Sequence, residues 1–213
     1  MNSPVRPEPS RHDGRRKVLA TNRYFDRGLN IEAAKVLPGE YYVTGEDMVL
    51  VTVLGSCVTA CIRDRLSGIG GMNHFMLPDS NPDTDGPYGE SARYGAFAME
   101  ILINSLIKQG AHRTLLEAKV FGGGNVLPGM TVANVGQRNS DFVLNFLEIE
   151  KIRVLAKDLV DVYPRKIYYF PKAGRVLMKK LQSIHNDTIF IREKDYGSRL
   201  VSTRIAGEVE LFG

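Results

Sequence analysis

The sequence of 213 residues has no tryptophan, only four histidines and only two cysteines. The cysteines, Cys57 and Cys61, are too few and too close together for the disulfide framework of a small secreted protein. No segment approaches the roughly 20 consecutive apolar residues of a membrane helix, and the proline-bearing N-terminus has no apolar core of a secretory signal. We therefore expect a cytoplasmic protein with free thiols and no membrane insertion.

Positive charge is concentrated at the N-terminus. Residues 1–27 hold seven basic and three acidic side chains, which accounts for the entire net charge of +4. Because the remaining chain has no basic stripe interleaved with aromatic residues, nucleic-acid binding is not expected. We expect residues 1–30 to be a basic, disordered tail, residues 31–182 to form the functional domain, and residues 183–213 to be a C-terminal extension.

Strand and helix patterns alternate within residues 31–182. The β-branched run Val49–Leu54 predicts a buried strand, and the apolar spacing after Ser91 predicts an amphipathic helix that ends near Gln109. Further strands are predicted over 36–45, 58–63, 69–77, 117–122, 152–156, 165–170 and 175–180, and a second helix over 139–150. With no linker between these elements, the sequence predicts a single α+β domain of layered mixed β-sheets flanked by helices.

Two of the predicted strands bring the scarce thiol and imidazole groups together. The segment 64–68 has the composition of a turn, so the strands on either side form a hairpin. A turn centred between Arg65 and Leu66 places Cys57 opposite His74. A slip of one residue would move one of them to the other face of the sheet. A slip of two residues would leave them diagonal neighbours on one face, about 7 to 8 Å apart at Cα.

A cysteine in contact with a histidine is an activated nucleophile. The break at Gly55 and Ser56, just before Cys57, offers backbone amides that can point at an oxyanion. A free cysteine is, however, commonly a small buried hydrophobe, and a histidine on a strand is commonly structural. On the residues alone, both interpretations stay open for Cys57 and His74, and a core position is expected for Cys61. The two cysteines have no partners at metal-ligand spacing, so we predict neither a metal nor a cofactor.

A glycine run, Gly122-Gly123-Gly124-Asn125, follows the predicted strand 117–122. It lacks the spacing of the known phosphate-binding loops. The run therefore either lets a substrate chain approach closely or forms a plain loop.

Taken together, these segments resemble the CheD family, the chemoreceptor glutamine deamidases of bacterial chemotaxis. The matching pieces run in order over about residues 36–181. They are LGSCVTACIRD (54–64), GGMNHFMLP (70–78), SARYG with AMEILI (91–103), KVFGGGN (119–125), VGQRN (135–139) and PRKIYYFPKAGRV (164–176). No single piece is specific, but their combination in this order is.

The resemblance implies a cysteine-hydrolase-like fold and a protein-glutamine glutaminase, a hydrolase of linear amides. Its substrates would be glutamine side chains on the cytoplasmic helices of methyl-accepting chemotaxis receptors. The family's cysteine and histidine match Cys57 and His74, and the threonine that supports the histidine is matched most nearly by Thr52. The expected oxyanion and substrate-binding residues are Gly55, Ser56, Gly123 and Asn125.

One departure from the family is the segment 158–161, where many relatives carry a Gly-Gly pair; we expect it to affect a turn and not the chemistry. Two alternatives remain beside the deamidase. One is a cysteine hydrolase of another acyl substrate, and the other is a non-catalytic chemotaxis adaptor that binds receptors or a CheC-type phosphatase. A CheC-type phosphatase is also the expected protein partner of the deamidase, and we expect a monomer.

Overall fold

The computed structural model describes residues 19–78, 89–125, 135–181 and 187–202. Its strands are β1 (Asn22–Asp26), β2 (Ile31–Lys35), β3 (Tyr41–Thr44), β4 (Val49–Leu54), β5 (Val58–Asp64), β6 (Gly70–Asn73), β7 (Leu116–Gly122), β8 (Arg153–Leu159), β9 (Arg165–Phe170) and β10 (Arg175–Lys180). Its α-helices are α1 (Glu90–Lys108), α2 (Val135–Ile149) and α3 (Asp187–Ser202). A short 3-10 turn, Arg113–Leu115, precedes β7.

The strands form two five-stranded mixed sheets. The first has the order β1-β2-β4-β9-β10 and the second the order β3-β6-β5-β7-β8. One apolar core lies between the second sheet and the helices α1 and α2, and another lies between the two sheets. The predicted α+β class, with layered mixed sheets flanked by helices, is confirmed.

Strand β5 contributes to both cores because side chains alternate along a strand. Val58 and Ala60 belong to the core beneath the helices, whereas Cys57 and Cys61 belong to the core between the sheets. The expected core position of Cys61 is thus observed. Cys57 lies at the junction where the chain passes from β4 in the first sheet to β5 in the second.

The hairpin of β5 and β6 forms, but its register differs from the prediction by two residues. Cys61 pairs with Met72, and an isolated bridge joins Val58 to Phe75. In this register His74 lies opposite Thr59, so it is a diagonal neighbour of Cys57. The direct opposition that we predicted is wrong, while the shared face is retained.

The register follows from the turn. The carboxylate of Asp64 accepts hydrogen bonds from the backbone N–H groups of Leu66 and Ser67, at 2.8 and 3.2 Å. Gly68 then takes a φ of 72°, which favours glycine. Asp64 pairs with Ile69 through a 2.9 Å backbone hydrogen bond. The loop therefore lies one residue further along the chain than the sequence predicted.

Several element bounds differ from the sequence prediction. The strand predicted over 36–45 is wrong in extent, because β2 ends at Lys35 and β3 begins at Tyr41. Helix α2 begins at Val135, four residues before the start of the helix predicted over 139–150. Strand β1 lies within the segment 1–30 that was expected to be a disordered tail, and it pairs antiparallel with β2.

Helix α3 lies in the predicted C-terminal extension and packs against the rest of the molecule. Tyr196 is buried in the core between the sheets, with Leu200 packed beside it. A Cβ atom added to Gly39 would lie 2.9 Å from the Tyr196 ring, so the ring sits directly on the backbone there. No helix among the described residues is long and apolar enough to span a membrane.

Candidate active site

The predicted nucleophile and base come together at the crossover between the sheets. The Sγ atom of Cys57, a ring nitrogen of His74 and a carboxylate oxygen of Glu193 all lie within 4.8 Å of one another. Cys57 has no exposed surface, and His74 is 2% exposed. A thiol and an imidazole at this separation need only a small movement for proton transfer.

Thr52 fixes the orientation of the imidazole. Its Oγ1 donates a 2.7 Å hydrogen bond to the carbonyl of Val36 and lies 2.8 Å from Nδ1 of His74. Because the hydroxyl has one hydrogen and Val36 receives it, Oγ1 accepts from Nδ1–H. The neutral ring therefore carries its lone pair on Nε2, which is the nitrogen left for the thiol.

Burial keeps both partners neutral in this conformation. It lowers the pKa of His74 to about 4, against an opposing effect of the nearby Glu193 carboxylate. Burial, followed by the charge of Glu193, raises the pKa of the Cys57 thiol well above its usual value. Among the described residues, Nε2 of His74 is a buried polar atom without a hydrogen-bond partner.

The glycine run holds the segment that carries Cys57. The N–H of Gly123 donates to the carbonyl of Cys57 at 2.8 Å, and that of Gly124 donates to the carbonyl of Gly55 at 2.7 Å. Gly122 has a φ of 116°, and a Cβ there would lie 2.2 Å from the Cys57 carbonyl oxygen. Only glycine fits so close to another backbone, so the run acts as a clamp on the 55–57 segment.

The backbone amides of Gly123 and Asn125 both donate to carbonyl groups of the protein. The N–H of Gly123 donates to the carbonyl of Cys57, and the N–H of Asn125 donates to the carbonyl of Asp161 at 2.7 Å. Their backbone amides therefore support the loop. A substrate-binding role of these two residues stays a prediction.

Asn139 is a further residue of this site that the sequence did not single out. It is fully buried; its side chain accepts from the N–H of Leu77 and donates to the carbonyl of Ser56, each at 2.8 Å. It thereby ties the segment before Cys57 to the segment after His74. The sequence signal for Asn139 was its place in the VGQRN piece. The resemblance covered this piece without assigning a role to Asn139.

Glu193 of α3 is the second residue that sequence reasoning missed. Its Oε1 accepts from the backbone N–H groups of Gly55, at 2.8 Å, and Cys57, at 3.2 Å. Its Oε2 accepts from the N–H of Ser56, at 2.9 Å, and from the Ser56 hydroxyl, at 2.6 Å. Three successive amides thus converge on one carboxylate. Together these amides form an anion-binding concavity.

The group formed by Cys57, His74 and Glu193 also has the residue types of a metal site. A carboxylate offers about four lone-pair directions, and the four donors around Glu193 use them. The position of Glu193 is therefore explained by hydrogen bonds from the 55–57 segment, without a metal ion.

The segment 158–161 supports the glycine clamp. The N–H of Val160 donates to the carbonyl of Gly122 at 2.9 Å. Arg165, which is fully buried, donates to the Asp158 carboxylate at 2.6 Å and to the carbonyl of Val160. Val160 and Asp161 have φ values of 65° and 75°, a region that favours glycine. The departure at 158–161 therefore falls at the end of β8 and in the turn that leads to β9, as expected.

Comparison with known proteins finds relatives over most of the chain. The family described as "CheD chemotactic sensory transduction" matches residues 76–180. Two relatives named probable chemoreceptor glutamine deamidase CheD, from Methylobacillus flagellatus and Janthinobacterium sp. (strain Marseille), are each 63% identical over 91% of this chain and 96% of their own. A third with that name, from Thiobacillus denitrificans, is 64% identical over the same shares.

A solved structure gives only a distant likeness. The crystal structure of the Bacillus licheniformis hypothetical protein YfiH has a TM-score of 0.36 and 10% identity, covering 57% of this chain and 49% of its own. This likeness is too weak to bear on fold or function. The sequence relatives, by contrast, match nearly the whole chain at high identity, as the motifs predicted, and the chain belongs to the CheD family.

Proposed function

We propose that this protein is a protein-glutamine deamidase that converts glutamine side chains of chemoreceptors to glutamate, with Cys57 as nucleophile and His74 as acid and base. The observation that carries the proposal is the convergence of the Cys57 thiol, the His74 imidazole and three backbone amides on one carboxylate, that of Glu193. A side-chain carboxylate is the group that glutamine hydrolysis produces. The names of the relatives support the same reaction.

The first half-reaction forms a thioester. The Cys57 thiol gives its proton to Nε2 of His74, and the sulfur attacks the side-chain carbonyl carbon of glutamine. The amides of Gly55 and Cys57 hold the oxygen on which negative charge develops. When the tetrahedral intermediate collapses, the C–N bond breaks and the imidazolium protonates the departing nitrogen, so ammonia leaves.

The second half-reaction consumes one water. A cavity of about 20 Å³ lies beside His74, lined in part by Val36, Leu37 and Thr52. That is room for about one water molecule. His74 takes a proton from water, the resulting hydroxide attacks the thioester, the C–S bond breaks, and the proton returns to sulfur. The balance is one water consumed, one ammonia released and one new glutamate.

Thr52 is a positioning residue in this mechanism. It does not touch the reacting atoms but holds Nδ1–H of His74, and its own hydrogen is directed to Val36. This arrangement keeps the lone pair of the neutral ring on Nε2, where the thiol proton must go.

The receptor substrate determines where the protein works. Chemoreceptor glutamines are presented on cytoplasmic helices, so we propose a cytoplasmic enzyme, and both cysteines are free thiols as a reducing compartment requires. A CheC-type phosphatase partner stays a prediction from the resemblance, and a monomeric state also stays a prediction.

The test compares the wild type with Cys57→Ala on the cytoplasmic fragment of a receptor, by intact mass. The wild type is expected to add about 1 Da for each converted glutamine, and Cys57→Ala to add nothing, because the attacking sulfur is gone. Cys61→Ala, which changes the other buried cysteine, is the matched control and is expected to retain conversion. Equal conversion by Cys57→Ala would reject the nucleophile. Binding of the fragment by the wild type without any mass gain would favour the adaptor.

A further inference from the structure

The position of Glu193 is incompatible with a bound substrate. The amides of Gly55 and Cys57 that would hold the substrate oxygen already hold Oε1 of Glu193, at 2.8 and 3.2 Å. Glu193 is 7% exposed, and the Cys57 thiol is fully covered. A receptor glutamine therefore cannot reach the sulfur in this conformation unless the side chain of Glu193 leaves.

The whole helix, and not only one side chain, covers the site. Glu193, Tyr196 and Leu200 recur at the spacing of one helical face, and all three are at least partly buried. The Tyr196 hydroxyl forms a hydrogen bond with the Tyr94 hydroxyl of α1. A Cβ added to Gly197 would lie 3.2 Å from the methyl group of Met76, so the helix backbone approaches closely there. This is the arrangement in which an amphipathic helix binds in a groove.

We propose that α3 is an intramolecular occupant of the substrate site, in which Glu193 takes the place of the glutamate that the reaction leaves. The helix has to withdraw before a receptor glutamine can be converted. The inference rests on the proposed function, because it is the deamidation reaction that makes a glutamate side chain the product.

The hydrogen-bond pattern favours a carboxylate over an amide in this place. Both oxygens of Glu193 accept, Oε1 from two amides and Oε2 from the N–H and hydroxyl of Ser56. A glutamine in the same position would turn its NH₂ group towards the N–H of Ser56, and only the hydroxyl can rotate to accept from it. Glutamate is therefore held more tightly than glutamine, as expected for a product-like occupant.

The occupant also suppresses the nucleophile. The negative charge of Glu193 lies within 4.8 Å of the Cys57 sulfur and opposes formation of the thiolate. Withdrawal of the helix removes this charge and admits solvent to the thiol. Access and reactivity of Cys57 are therefore expected to rise together.

The most direct test replaces the product-like side chain of Glu193 by glutamine, the side chain that the reaction converts. In Glu193→Gln, the seated amide is expected to be hydrolysed by the enzyme's own Cys57, with one water consumed and one ammonia released. Peptide mass mapping should then find glutamate at position 193, at a rate independent of protein concentration. The double variant Cys57→Ala/Glu193→Gln should keep the introduced amide. Asp195→Asn, which changes an exposed residue on the same helix, should keep its amide and behave as wild type.

A second measurement follows access to the site. In Glu193→Ala, the rate of alkylation of Cys57 by iodoacetamide is expected to rise about tenfold or more, because the open state gains population. Conversion of the receptor fragment should rise in parallel, while Asp195→Asn again matches the wild type. Cys61, buried in the core, reports unfolding if its alkylation also rises.

The outcomes separate this inference from the proposed function. If the amide introduced by Glu193→Gln persists while that variant converts the receptor fragment at the wild-type rate, the deamidase stands and the intramolecular occupant is overturned. If neither the introduced amide nor the receptor is converted, the proposed deamidase activity is rejected. The alkylation of Cys57 then tests whether α3 occupies the site. Alkylation of Cys57 in Glu193→Ala at the wild-type rate would then overturn the occupant, and faster alkylation would support it.

Discussion

The Oγ1 atom of Thr52 lies 2.8 Å from Nδ1 of His74 and joins the two sheets at the candidate active site. Thr52 belongs to β4 of the first sheet, and His74 directly follows β6 of the second. The Thr52 hydroxyl donates its hydrogen to the Val36 carbonyl, so its oxygen accepts from Nδ1–H of His74. The lone pair of the neutral ring is therefore on Nε2. The same contact therefore links the two sheets and sets the ring tautomer.

Replacing Thr52 by valine should make His74 a poorer base, although the imidazole itself stays in place. Valine keeps the shape of the side chain but cannot accept from Nδ1–H, so the imidazole loses its orientation and preferred tautomer. We expect kcat for deamidation to fall about tenfold to a hundredfold with little change in KM. Thr52→Ser should restore most of the activity. A loss in Thr52→Ser as large as in Thr52→Val, or a change confined to KM, would contradict a positioning role.

Asn139 should be important for the stability of the fold. Asn139→Ala leaves the Ser56 carbonyl and the Leu77 amide without their partner, and we expect a loss of about 2 to 4 kcal/mol of unfolding free energy. Urea unfolding measures this loss. Asn145→Ala, at an exposed position of the same helix, is the matched control and should change stability by less than about 0.5 kcal/mol. Equal effects of the two changes would argue against the buried bridge.

Stability should decrease in mild acid because of His74. Its folded-state pKa is lowered to about 4 by burial, whereas the unfolded value is about 6.5. The unfolded chain therefore binds the proton more readily. The unfolding free energy should fall by up to about 3 kcal/mol as the pH drops from about 6.5 to about 4. Below about pH 4, His74 should cause no further loss. Urea titrations between these pH values should show the slope in the wild type and in His112→Gln. His74→Gln should show a smaller one.

The turn after β8 should tolerate glycine better than its natural residue. Val160 is β-branched and has a φ of 65°, a conformation that is strained for valine and not for glycine. We expect Val160→Gly to raise the unfolding free energy by about 1 kcal/mol, measured by thermal or urea unfolding. Leu159→Gly, at the neighbouring strand position, should lower it. Destabilisation by both changes would show that packing of Val160 outweighs its backbone strain.

Much of the site was predictable because its parts are local. The alternation along β5 follows from the period of a strand, so the shared face of Cys57 and His74 was accessible from the sequence. The register was not, because it depends on which amides the Asp64 carboxylate accepts from. A one-residue shift of the loop moved the pairing by two residues but kept both side chains on one face.

Glu193 was not predictable because its contacts are not local. It reaches the 55–57 segment from the far end of the chain, and its own neighbourhood has the composition of a polar extension. The spacing of Glu193, Tyr196 and Leu200 is that of one buried helical face, but spacing alone does not say what such a face covers. The glycine clamp was hidden for the same reason, since the run does not show that Gly122 lies against the carbonyl of Cys57.

The central claim is that Cys57 hydrolyses receptor glutamines, and mass measurement in ¹⁸O-labelled water tests it most directly. The wild type, incubated with the cytoplasmic fragment of a receptor, should add about 3 Da per converted glutamine in labelled water and about 1 Da in ordinary water, because the new carboxylate takes one oxygen from the water that cleaves the thioester. Cys57→Ala should add neither. The same gain with Cys57→Ala, or no gain with the wild type under conditions in which the receptor binds, would contradict the account.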